Sequence, residues 1–181
     1  MKPNRRNSVM NIRFAVAVLA LAVCGLQAEE DGGNLVRNSD FKEQKKYWQM
    51  NPGTTFQDGI ATVPLTNARK NDPNTVTASV VQSIPSIKPG KYEFTAYYKG
   101  EFRNLFVVFR GYKKDKTQVN IVIKWLHKKD FIKAGDKPGW YKFFYGGTVP
   151  ADVVRASLHI EPWGSKGQTM QITGIELAEA E

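Results

Sequence analysis

The chain has 181 residues, a formal net charge of +9, one cysteine and two histidines. One cysteine excludes a disulfide-stapled scaffold and a cysteine-ligated zinc domain, and the length suits one hydrophobic core. The basic residues are scattered along the chain, which argues against nucleic acid as a partner.

The N-terminus reads as a sorting signal. Lys2, Arg5, Arg6 and Arg13 precede the apolar run from Phe14 to Val23, and Leu26-Gln27-Ala28 ends on a small residue before Glu29. A positive start, an apolar stretch of about 10 residues and a small residue at the cut make a secretory signal peptide. The run falls short of the roughly 20 residues a spanning helix needs, which disfavours an uncleaved anchor. Lipid attachment at Cys24 is disfavoured because branched Val23 stands where a small residue is expected. Cleavage after Ala28 makes 1–28 the signal and 29–181 one secreted or periplasmic domain. Cys24 and the four basic side chains leave with the signal, so the mature excess of charge is mild and no internal disulfide is possible.

The mature part alternates between β-rich segments and turn signals, the pattern of an all-β sandwich or barrel. Asn34–Phe41 reads as a first strand. Thr54–Gln57 and Ile60–Pro64 flank Asp58-Gly59, a hairpin turn in which both central residues take positive φ. Asn67–Asn74 reads as a polar loop. Ala78–Ile84, Tyr92–Lys99, Leu105–Gly111, Val119–Trp125, Trp140–Tyr145, Val154–Glu161 and Met170–Leu177 read as strands, with one short helical turn between Leu126 and Ala134.

Period-two counting assigns the faces. Ala156, Leu158 and Ile160 point inward, and Arg155, Ser157, His159 and Glu161 outward. Phe94 and Ala96 are core, with Glu93, Thr95 and Tyr97 outward. Val119, Ile121 and Ile123 are expected inside, with Asn120 and Lys124 outside. Arg110 draws Phe106 and Val108 to its outward face. Met170, Ile172, Ile175 and Leu177 face inward only if Thr173-Gly174 forms a bulge.

Several segments carry a resemblance. Asn34-Leu35-Val36-Arg37-Asn38-Ser39-Asp40-Phe41 followed by Trp48, then Val81-Gln82-Ser83-Ile84 with Lys88-Pro89-Gly90-Lys91-Tyr92, then Trp140, Phe143, Tyr145 and Thr148-Val149-Pro150, then Ile172–Leu177, stand in order. Together they resemble the carbohydrate-binding modules of families 4, 9 and 22. The resemblance implies a galactose-binding-like jelly-roll β-sandwich that binds a polysaccharide or oligosaccharide. It puts Trp48 and Trp140 at packing positions. In that family a structural calcium is often held by a glutamate after the opening phenylalanine and a paired aspartate in the closing strand. Lys42 and Thr173-Gly174 occupy those places here, which disfavours calcium.

Sugar rings need flat aromatic faces and polar groups for their hydroxyls. Tyr97, Phe106, Arg110, Phe144, His159, Glu161 and Trp163 are the candidate ligand contacts, with Lys142 beside them and a shared groove expected. Trp163, between Pro162 and Gly164, reads as an exposed loop residue. Trp125 shares the parity of the core residues at the end of its strand and fits either role. No nucleophile elbow or metal spacing occurs, so no catalytic or metal residues are assigned. Two alternatives remain: an envelope or extracellular sandwich that binds a protein partner, and a jelly-roll polysaccharide lyase acting through Tyr97, His159 and Arg110.

Overall fold

The computed structural model describes residues 33–180. The signal segment, the expected cleavage site and Cys24 lie outside these residues. In chain order the strands are β1 (Trp48–Met50), β2 (Thr55–Gln57), β3 (Ile60–Pro64), β4 (Asn67–Arg69), β5 (Asp72–Thr77), β6 (Val80–Ile84) and β7 (Gly90–Gly100). Then come β8 (Asn104–Lys113), β9 (Gln118–His127), β10 (Ile132–Lys133), β11 (Tyr141–Val149), β12 (Val153–Gly164) and β13 (Thr169–Glu179), with a 3-10 turn at Lys128–Asp130. They form two antiparallel sheets facing each other, a β-sandwich. One sheet runs β9-β8-β12-β6-β1, with the β5-β4 hairpin attached to the end of β12; the other runs β10-β11-β7-β13-β3-β2.

The core forms where the inward residues of both sheets meet. Leu105, Val107, Phe109, Leu158 and Ile160 from the first sheet pack on Tyr92, Phe94, Tyr98, Ile172 and Leu177 from the second, all fully buried. Tyr92 and Phe109 cross the interface edge to face at 6.3 Å, and Phe94 meets Phe143 at 5.1 Å. Such pairs add about 0.5–1.5 kcal/mol beyond burial. The inward assignments on β7, β12 and β13 agree with the structure. The parity change in β13 does too: Gly174 takes φ 55 and the pairing with β7 shifts between Thr173 and Glu176. The Asp58-Gly59 hairpin forms as expected, with φ 50 and 74.

Four expectations need correction. Asn34–Phe41 is a run of turns rather than a strand. Asn38 and Phe41 take φ 52, and the Asn34 side chain accepts from Val36 N–H and Leu177 N–H at 2.9 and 3.0 Å. Asn and Ser side chains that bond nearby backbone compete with a ladder in this way. Residues 67–74 fold into the β4–β5 hairpin instead of a loop. Trp163 lies within β12, opposite Asn104 and Thr77, so it belongs to a sheet face.

The fourth correction concerns β9. Phe109 pairs Val122, but Arg110 pairs Asn120, so Ile121 is an extra residue in the ladder. The bulge reverses parity beyond it. Ile123 and Trp125 therefore share the outer face with Val108 and Phe106, and Lys124 turns to the other side, near the Tyr145 ring. β11 also runs past Gly146-Gly147 to Val149, because glycine there admits β9: a Cβ on Gly147 would sit 2.6 Å from Ile121 Cγ2.

Candidate functional site

The outer face of the first sheet gathers most of the site. Ladder register sets its rows. Trp163 stands beside Asn104. Glu161 and Phe106 stand beside Trp125, and His159 and Val108 beside Ile123. Ser157 and Arg110 stand beside Asn120, and Arg155 beside Tyr112. Successive rows on one face are about 7 Å apart along a strand.

An aromatic cluster fills one end. Phe106 and Trp125 rings are 5.5 Å apart, and Trp125 meets Trp163 edge-on at 4.7 Å. Trp125 is 40% exposed and Ile123 52%, a large apolar display for a sheet face. Trp163 is more covered: the Arg69 guanidinium of β4 lies 3.8 Å from its ring centre. Its indole Nε1 is buried and has no hydrogen-bond partner among the described residues.

Polar groups line the rows below. Tyr112 O–H and Ser157 Oγ are 3.1 Å apart, and Ser157 Oγ is 2.8 Å from His159 Nε2. Burial pushes the His159 imidazole below its usual value, and nearby Arg110 adds to that. Glu161 is half-buried beside the rings and accepts no hydrogen bond among the described residues. Burial pushes its carboxyl above the usual range, while Arg110 and Arg69 pull it back. Arg110 Nε donates to Asn120 Oδ1 at 3.2 Å. A half-buried carboxylate with open lone pairs suits hydroxyl donors, and the rings beside it suit an apolar sugar face.

Phe106, Arg110, His159, Glu161 and Trp163 thus come together. Tyr97 and Phe144 do not: they lie with Lys142 on the outer face of the other sheet, across the sandwich. Tyr97 O–H donates to the Asp136 carboxylate and accepts from Lys142 Nζ at 3.2 Å. The single groove expected for all seven residues is split between two faces. The lyase trio fails on the same geometry, because Tyr97 is on the opposite face from His159 and Arg110. Sequence reasoning left Trp125 undecided and missed Ile123 and Arg69. Only the bulge and the β4–β5 hairpin bring them here, and neither has a signature in the sequence.

Elsewhere Trp48 and Trp140 are buried, as packing residues are. Asp40 is held by Lys42 at 2.7 Å, and Thr173 Oγ1 donates to the Gly59 carbonyl at 2.6 Å. Among the described residues no three His, Cys, Asp or Glu side chains gather in a metal-holding group. A recess of about 510 Å³ beside the β4–β5 hairpin is lined by residues such as Leu65, Ala68, Val76 and Gln168, and no aromatic ring.

No family model matches the chain, and no curated protein matches it. Solved structures do. The enzymatically active domain of tailspike protein 4 from bacteriophage CBA120 superposes with TM-score 0.52 at 15% identity, over 82% of this chain. This chain spans 22% of that one's length. A family 28 carbohydrate-binding module specific for non-crystalline cellulose superposes with TM-score 0.50 at 9% identity, over 80% of this chain and 95% of that one. A family 61 module in complex with beta-1,4-galactotriose has TM-score 0.49 at 12% identity, over 81% and 99%. The first two of these likenesses show the fold: the chain is an all-β jelly-roll sandwich.

Proposed function

We propose that the protein is an exported, non-catalytic module that binds a glycan on the outer face of the β9-β8-β12 sheet. The observation that carries this is the exposed Trp125 ring, buttressed by Phe106 and Trp163 and flanked by an unpaired half-buried carboxylate, Glu161. A ring platform takes the C–H face of a pyranose, and the carboxylate takes its hydroxyls. The fold likeness to carbohydrate-binding modules supports the reading. Phe106, Arg110, His159, Glu161 and Trp163 remain the proposed contacts, and Trp125 joins them.

Affinity gel electrophoresis with soluble neutral β-glucans and β-galactans tests it. Retardation is expected, and is expected to vanish in Trp125→Ala but not in Phe144→Ala. No retention on any polysaccharide by the folded protein would sink the proposal.

A second reading has its own observation. On the other sheet Ile132 and Phe144 are 70% and 55% exposed, and both flank Lys142 on one face. Two large exposed apolar side chains on one face fit a protein partner in the envelope or outside the cell. Crosslinking from a photoreactive residue at position 144 tests that reading; the absence of any protein adduct in the native extract counts against it.

A further inference from the structure

The lower end of the same face carries two arginines that form no ion pair among the described residues. Arg110 and Arg155 sit diagonally across the β8–β12 ladder, since Arg110 pairs Ser157 and Tyr112 pairs Arg155. Diagonal neighbours are about 7–8 Å apart, and like charges so placed repel. Neither arginine has a carboxylate partner among the described residues. Arg110 spends only Nε on Asn120, and the Arg155 guanidinium rests over the Tyr112 ring at 5.1 Å. The nearby Lys113 is already neutralised by Asp152 at 2.6 Å. Among the basic groups at this end, which include exposed Lys114 and Lys116 of the β8–β9 turn, the two guanidinium forks are the ones whose geometry matches carboxylate and sulfate. Among the described outward residues of β8, β9 and β12 the acid is Glu161, which stands two rows from Arg110, at the aromatic end.

Resting on the glycan-binding reading above, we infer that the ligand is an anionic polysaccharide whose carboxylate or sulfate groups seat between Arg110 and Arg155 while a ring stacks at Trp125. The anion relieves the repulsion between the two arginines, and Glu161 keeps the charged group away from the aromatic end. The face is thus polarised: hydroxyls and ring at one end, negative charge at the other.

Two polymer pairs test this by affinity electrophoresis of the purified protein: polygalacturonate against its carboxyl-reduced form, and a carrageenan against its desulfated form. The charged member of one pair is expected to bind at least tenfold more tightly, which identifies carboxylate or sulfate as the source. Arg155→Gln is expected to erase most of that preference while keeping the wild-type melting temperature and the binding of the neutral member, and Arg110→Gln is expected to erase it together with part of the neutral binding. Lys133→Gln, which removes the same charge from an exposed position on the other sheet, is expected to change nothing. Equal binding within both pairs overturns the inference and leaves the glycan-binding reading standing. So does equal weakening by Lys133→Gln, which would mean bulk charge attraction. Failure to retain any polymer, charged or neutral, overturns both.

Discussion

The Arg69 guanidinium lies 3.8 Å from the centre of the Trp163 ring, so a residue from the β4–β5 hairpin covers a ring on β12. A cation over an indole contributes about 0.5–2 kcal/mol. A sugar that stacks on Trp163 must displace that contact. Arg69→Ala is therefore expected to lower stability by about 1 kcal/mol and to tighten binding of neutral oligosaccharides by roughly fivefold. Tryptophan emission should shift to the red as the ring meets water. Unchanged emission and weaker binding would show Arg69 to be a ligand contact rather than a cover.

The two tryptophans should separate binding from stability. Trp125 is 40% exposed and closes no core, whereas Trp163 is half-buried against it. Trp125→Ala should cost about 2 kcal/mol of binding, roughly thirtyfold, with little change in melting temperature. Trp163→Ala should cost both binding and about 2–3 kcal/mol of stability. Calorimetric titration beside thermal melts reads the two quantities independently.

Glu161 should show a trade between stability and function. Its carboxyl is pushed above the usual 4.5 by burial, with Arg110 and Arg69 opposing. A group with a raised folded value contributes stability that is fully present below the unfolded value and is lost as pH rises through the folded one. At neutral pH the buried charge is therefore a cost. Glu161→Gln should melt higher than wild type at pH 7, with the difference closing by pH 4, and should bind several-fold more weakly because charged acceptors make the stronger hydrogen bonds. Equal binding at pH 7 would remove Glu161 from the site.

Why the site was only partly legible follows from particular residues. His159, Glu161 and Phe106 were placed outward by alternation because β8 and β12 are regular where they lie. Alternation failed at Ile123 and Trp125 because Ile121 is extruded from the ladder, and whether β9 bulges depends on the partner strand and on the close approach of Gly147. Glycine signalled the other bulge, in β13, where positive φ favours it. Tyr97 and Phe144 were assigned the outward face correctly, but outward is a property of each sheet. Which sheet a strand joins is set by long-range pairing, and β7 and β11 pair away from β8 and β12. Arg69 was invisible for the same reason: a polar stretch that reads as loop became a hairpin only because β12 offered it an edge.

His159 makes a pH prediction of opposite sense to Glu161. Burial, then Arg110, holds its imidazole below the usual 6.5. As pH falls through 6.5 the unfolded chain takes up a proton that the folded ring refuses, so stability present above that pH is lost on acidification. Glu161 works against this in the same region, so the comparison belongs in the Glu161→Gln background. There the melting temperature should fall between pH 7 and pH 5, and His159→Gln should flatten that fall. Identical slopes with and without the histidine would show that other groups carry the dependence.

Asn51 makes the last prediction because it ties the cover to the sandwich. Its buried side chain donates from Nδ2 to the Pro64 carbonyl and Thr66 Oγ1 at 3.2 and 3.0 Å. Its Oδ1 accepts from Asn67 Nδ2 and Ser79 N–H, both at 3.0 Å. With a further bond from Nδ2 to the Thr77 carbonyl at 3.4 Å, one amide joins the end of β3 to both strands of the hairpin that holds Arg69 over Trp163. Asn51→Ala removes these bonds; the part-buried partners that water can reach cost little, and one group left unmet in the interior costs about 1–3 kcal/mol. A total near 2 kcal/mol lowers the melting temperature of a chain this size by roughly 4–8 °C. The hairpin should also loosen locally, so hydrogen exchange at residues 67–77 should rise well beyond that in β8 or β13. The red shift expected for Arg69→Ala should appear in Asn51→Ala as well, with no mutation at the ring contact itself. A uniform rise in exchange across both sheets, with unchanged emission, would mean that Asn51 stabilises the whole sandwich and does not position Arg69.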